Sequence, residues 1–143
     1  MRDAIGGSIV IVIIVVFIVI VSGYLAFNVN YTKAFRMKNK IISYYDDYNG
    51  QCDTSAACRK KIREYADDIG YRTANLKCPA GSTAKENLYC SEHVDVSGST
   101  RDTAAREYYK ITTKINVEIP VINYFFNLNV FNVSGNTKTY IKR

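Results

Sequence analysis

Thirteen consecutive residues, Ile9 to Val21, are all Ile or Val except Phe17, and no other feature of the chain limits its fold as strongly. In water such a run would have to be buried on every side of a helix. Ser22-Gly23-Tyr24-Leu25-Ala26-Phe27 extends it, and residues 9–27 hold no Asp, Glu, Lys, Arg or His. As a helix that stretch spans roughly 28 Å, close to the hydrocarbon thickness of a bilayer. Tyr24 suits the aromatic belt at the membrane surface. β-Branching lowers helix propensity in water, but in lipid an unpaired peptide group costs far more, so the helix forms. The competing reading is a cleaved secretory signal peptide, with Val21-Ser22-Gly23 as its small-residue cleavage site. Asp3 offsets Arg2 at the head of the run, and the apolar stretch is long for a signal, which favours a permanent span.

Charge divides the chain sharply. Of 19 Lys and Arg and 13 Asp and Glu, only Arg2 and Asp3 precede the apolar run, so the remainder carries the whole net charge of +6. A basic domain on an anchor is drawn to anionic lipid, acidic polymers or acidic protein surfaces. The organisation expected is a leader or stub over 1–7, a transmembrane helix over 8–27, an amphipathic extension over 28–49 and a small domain over 50–143.

The extension rests on periodicity. Tyr31, Ala34, Phe35, Ile41, Ile42, Tyr45 and Tyr48 recur at helical spacing, while Lys33, Arg36, Lys38 and Lys40 mostly fill the opposite face as a basic surface. Asn49-Gly50 is a stop signal, with Gly50 at the left-handed position after the helix. A second helix is expected from about Thr54 to Ile69, capped by Asp53 or Thr54 and ended by Gly70. Short strands follow around Leu88–Cys90 and Val94–Val96. Alternation over Tyr108–Ile119 predicts the clearest strand, with Tyr109, Ile111, Thr113 and Ile115 on one face and Tyr108, Lys110, Thr112 and Lys114 on the other. Pro120 ends it. Val121–Phe126 is a compact apolar connection. Leu128–Val133 and Thr137–Ile141 supply a second strand, bent near Ser134-Gly135-Asn136. The class is therefore α+β: a long N-terminal helix, a second short helix and a small antiparallel sheet whose apolar face the helices cover.

Cys52, Cys58, Cys78 and Cys90 make an even count in a small domain, which suits two disulfides in an oxidising compartment. Three connectivities are possible, and sequence-local pairing, Cys52–Cys58 with Cys78–Cys90, is the expected one. Spacings of five, nineteen and eleven intervening residues lack the tight pairs of structural zinc, which stands as an alternative beside four buried free thiols. The positive-inside rule pulls the other way, because four basic residues follow the span closely and would hold the domain in the cytoplasm.

No catalytic constellation is visible, and neither enzyme activity nor a cofactor or metal is expected. His93 is the only histidine and lies beside Glu92 and Asp95 as a solvated loop residue. Asp46-Asp47 and Asp67-Asp68 fall at helix C-termini and lack the alternating ligands of a calcium loop. Asn30-Tyr31-Thr32 and Asn132-Val133-Ser134 match the glycosylation triplet, which arises often by chance. Tyrosines interleaved with Lys and Arg are explained more simply as half-buried strand and helix residues than as a single-stranded nucleic-acid platform.

A short polar leader ending in Gly6-Gly7, an abrupt apolar helix continuing into an amphipathic one, and a small sheet behind it resemble type IV pilin-like proteins. Among these the chain is most similar to the TadE-like small subunits of tight-adherence pili. The architecture matches throughout, the specific motif only over the first thirty residues. The resemblance implies cleavage by a prepilin-type peptidase after Gly7, leaving Ser8 first, or after Gly6. Such pilins usually carry Glu at the fifth mature position, where this chain has Val12 or Ile11, and their first mature residue is usually aromatic or Met. The resemblance also implies other pilin-like subunits and a membrane assembly machine as partners, a sheet domain outside the membrane, and a role as a minor pilin or pseudopilin of a type IV or tight-adherence pilus. The alternative is a permanently anchored binding module with Gly6-Gly7 as a juxtamembrane turn. Its basic face would meet wall polymer, anionic lipid or DNA.

Overall fold

In the computed structural model, residues 2–73, 76–96, 105–115 and 131–141 are described. Helix α1 (Arg2–Asp47) runs uninterrupted for 46 residues, roughly 69 Å. Neither proline of the chain falls within it, so no ring interrupts its hydrogen-bond ladder. Its halves meet different surroundings. Every side chain from Ile9 to Val21 is exposed, whereas Ala34, Met37, Ile41 and Tyr45 are wholly buried.

The α1 stop differs by one residue from expectation. Asn49 takes the first left-handed position at φ 48° and donates to the Asp46 carbonyl, while Gly50 at φ 79° donates to the Tyr45 carbonyl at 2.8 Å. That pair of bonds is a Schellman closure with Asn49, not Gly50, as the residue after the cap. Gly50 answers a second demand. A Cβ there would lie 3.0 Å from the Tyr109 ring and 3.2 Å from the Tyr140 ring. Helix α2 (Ala56–Asp68) is capped by Ser55, whose hydroxyl accepts the Cys58 amide, so neither Asp53 nor Thr54 is the cap. Gly70 ends it as expected, at φ 62°.

The sheet is an antiparallel meander of β1 (Thr83–Lys85), β2 (Tyr89–Val96), β3 (Arg106–Ile115) and β4 (Phe131–Asn136), and β5 (Tyr140–Ile141) also pairs with β3. The two short strands expected over 88–96 are one strand, β2, joined to β1 by a turn with positive φ at Glu86 and Asn87. Without a glycine that turn was hard to see. Asn116–Val130 lie outside the described residues, and with them Ile119, Pro120, the Val121–Phe126 connection and Leu128. The bend in the last strand has a countable cause. Lys110 pairs with Asn136 and Glu107 with Tyr140, so three steps along β3 match four along its partner. One extra residue between Thr137 and Thr139 makes a bulge, slightly later than the expected Ser134-Gly135-Asn136.

The two faces expected for β3 do not differ in burial, since Ile111 to Ile115 are all buried. Ile111, Thr113 and Ile115 are buried against α1, and the Thr113 hydroxyl donates to the Ala34 carbonyl at 3.0 Å. Thr112 and Lys114, on the opposite face, are buried as well. The Tyr71 hydroxyl donates to the Lys114 carbonyl at 2.9 Å and accepts its amide at 3.1 Å. It thereby serves the β3 backbone just beyond Tyr89, where β2 begins.

The buried stripe of α1 is rotated from the expected one. Tyr31 and Phe35 are 44% and 41% exposed, and Met37 is buried in their place. The helix packs on β3 and β4 and against α2, with Ala34 and Ile41 wholly buried and the Tyr31 and Phe35 rings on an exposed flank. Gly50→Ala should cost roughly 1–3 kcal/mol, because it adds positive-φ strain to ring overlap. Gly7→Ala, with nothing within 4 Å of its Cβ, should cost nothing and can add up to about 1 kcal/mol through helix propensity. Denaturant unfolding of the two variants checks the contrast, and equal stabilities would contradict it.

Candidate functional site

Two surfaces stand out, one at each end of the long helix. The first is the apolar rod, Ile9–Val21, in a helix long and apolar enough to cross a membrane. Gly6, Gly7 and Ser8 lie within α1 and are exposed, so the glycine pair forms no turn. The four cations following the span do not make one patch. Lys33 reaches the Gly70 carbonyl at 3.4 Å and Lys40 lies over the Tyr44 and Tyr65 rings, both toward α2. Arg36 is exposed. Lys38, expected on the solvated face, is only 9% exposed; its stem crosses Gly135 of β4 and its Nζ sits 4.3 Å from the centre of the Phe35 ring.

Cys52 pairs with Cys58 and Cys78 with Cys90, the sequence-local connectivity. No thiol is left to bind zinc. The first bridge ties the turn after α1 to α2, and the second ties the segment before β1 to the back of β2.

The second surface lies where the sheet outruns α1. Beyond Gly50 a cleft of about 600 Å³ opens over the sheet, lined by Asn49, Gln51, Glu107, Tyr109, Lys138 and Tyr140 among others. Asp46 holds one wall: it accepts the Tyr140 hydroxyl at 2.6 Å and the Lys138 amide at 3.2 Å, so it is not left to solvent at its helix end. Asp53 holds the other. It accepts the Tyr45 hydroxyl, pairs with Lys85 at 3.3 Å and takes Ser91 at 3.5 Å.

His93 is a strand residue and not a loop residue. Its ring packs on Tyr109 at 5.0 Å and its Nε2 lies 2.8 Å from Glu107 and 4.0 Å from Asp95. Asp95 and Glu107 oppose each other directly across β2 and β3, a like-charge pair that the imidazole relieves when protonated. Among the described residues these three alone bring potential metal donors within 4.8 Å. All are at least partly exposed, and their mutual contacts are those of an ordinary surface ion pair. Sequence reasoning missed the grouping because only the strand register brings residues 93, 95 and 107 together.

Comparison with protein-family models, with curated proteins and with solved structures gave no match.

The buried phenols are held neutral by desolvation. Tyr71 and Tyr89 are pushed up to about 12, and Tyr45 is raised further by burial, the neighbouring Tyr89 and its bond to Asp53. Burial and the bond to Asp46 raise Tyr140. Raised phenol values mean that the native state holds its protons more tightly than the unfolded chain. The stabilisation is complete below about pH 10, where the unfolded phenol titrates, and is lost as pH climbs through the folded values. A titration following tyrosinate absorbance and circular dichroism together should show exposed phenols ionising with structure intact. The buried ones should ionise only as the domain unfolds. Uniform ionisation of all 12 tyrosines in one step near pH 10, with the fold unchanged, would contradict this assignment.

Proposed function

We propose that this chain is a structural subunit of a surface assembly, a minor pilin or pseudopilin of the type IV or tight-adherence kind, stored in the membrane and assembled through α1. The observation that carries the reading is the division of one unbroken helix. Its C-terminal half is the spine of the domain core, while every side chain from Ile9 to Val21 is exposed. A rod of this kind is solvated by lipid in storage and by other rods after assembly. In both places the gain is apolar surface kept from water. The two disulfides support an oxidising compartment, and hence a domain outside the cytoplasm, against the pull of the basic residues. Gly6-Gly7 supports processing physically, since each glycine weakens a helix by about 1 kcal/mol relative to Ala and eases local opening for a peptidase.

A second reading, a permanently anchored binding module, is favoured by the distal cleft. Its partners would be wall polymer or anionic lipid, and nucleic acid less so. The two readings part over the identity of the anchor. Exchanging residues 8–27 for an unrelated membrane helix should abolish recovery of the chain in sheared surface material, and Ile14→Asp should do the same. Normal recovery and function with the exchanged anchor would overturn the pilin reading in favour of the module.

A further inference from the structure

Positions 4–32 carry no charged side chain. As helix they measure roughly 43 Å, against about 40–45 Å for a bilayer with its headgroup layers. If Ile9–Phe27 occupies the hydrocarbon, residues 28–35 lie at the depth of the glycerol and headgroups. At that depth the folded domain presents aromatic rings to the outside. Tyr31 and Phe35 are more than two-fifths exposed, and Phe131 is 49% exposed. Phe131 belongs to β4, not to the helix, and packs edge-on against Phe27 with centroids 5.5 Å apart. The sheet therefore reaches down to the level where the apolar span ends.

The rings are ordered as a ladder. Phe27 stacks on Tyr31 and Tyr31 on Phe35, each at 6.3 Å, and the Lys38 ammonium caps the upper end over Phe35. An exposed ladder of this kind in water would be a cost without return, while at a lipid surface aromatic side chains are in their favoured place. Arg36, exposed one residue beyond Phe35, adds a positive charge at the phosphate level.

We infer that Tyr31, Phe35 and Phe131 form a seat for the phospholipid surface, holding the domain base against the bilayer while the subunit is stored. This rests on reading Ile9–Phe27 as a membrane span, and it adds that the domain itself, not the helix alone, binds lipid. The bilayer is the occupant because the ladder is continuous with the span and lies at its end. Removal from the membrane then requires lifting the seat as well as the rod.

The chain has no tryptophan, so a single introduced one reports without background. Full-length Phe131→Trp, Phe35→Trp, Ile14→Trp and Val96→Trp proteins would be placed in phosphatidylcholine bilayers carrying acyl chains brominated near the headgroup or near the bilayer centre. Phe131→Trp and Phe35→Trp should lose most of their emission to shallow bromines and emit to the blue of Val96→Trp, which lies at the distal end of β2. Ile14→Trp should be quenched by the deep bromines. If Ile14→Trp is quenched while Phe131→Trp and Phe35→Trp behave like Val96→Trp, the seat is wrong and the span stands. An unquenched Ile14→Trp removes the span and the seat with it. Shielding of the two seat probes from aqueous acrylamide without lipid quenching would show that protein covers the rings, and would also overturn the proposal. Should Phe131→Trp lose its disulfides or its fold, Phe35→Trp, on an exposed flank of α1, carries the test alone.

Discussion

The packing of Ala34, Met37, Ile41 and Tyr45 against Ile111, Thr113 and Ile115 is the contact on which the rest of the molecule depends. Ala34 is small enough for the helix backbone to approach the sheet closely, and the Thr113 hydroxyl uses that proximity to bond its carbonyl. Burying each of the larger aliphatic side chains contributes about 1.5–3 kcal/mol, before the entropy of ordering them is subtracted. The same covalent rod continues without proline into Ile9–Val21. The apolar half and the helix of the domain core are thus one continuous element.

Farther from the apolar end the stabilising chemistry changes. A small domain has limited apolar area to bury, and here two disulfides and a network of buried phenols take up the deficit. Asp53 gathers Tyr45, Ser91 and Lys85 from three different elements. Asp46 fastens the strand after the bulge to the end of α1. Beyond Gly50 no α-helix covers the sheet among the described residues, and the cleft, lined by Glu107 and Tyr109 of β3, is the consequence.

Much of this was legible in the sequence because it rests on local signals. The apolar run, the 3.6-residue stripe continuing through it, Gly70 at the end of α2 and the strict alternation of β3 each encode their structure over a few residues. Cys52–Cys58 and Cys78–Cys90 were legible for the same reason, as short loops. What escaped depended on partners distant in the chain. Lys38 reads as a solvated cation until Gly135 leaves room for its stem. His93 reads as a loop residue until the β2–β3 register places it beside Glu107. Tyr31 and Phe35 read as core until the position of β4 and α2 rotates the buried stripe away from them. The β1–β2 turn lacks the glycine that announces most such turns, and Glu86 takes the left-handed conformation in its stead.

On the proposed function, a membrane-stored, processed subunit displays a disulfide-stapled domain outside the cytoplasm. The most direct test is the intact mass of the protein taken from its native membrane, with thiols blocked first and reductant added afterwards to half the sample. The expected product is a chain lacking residues 1–6 or 1–7, with no blocked thiol before reduction and two disulfides released by it. A full-length chain with all four cysteines blocked before reduction would contradict it.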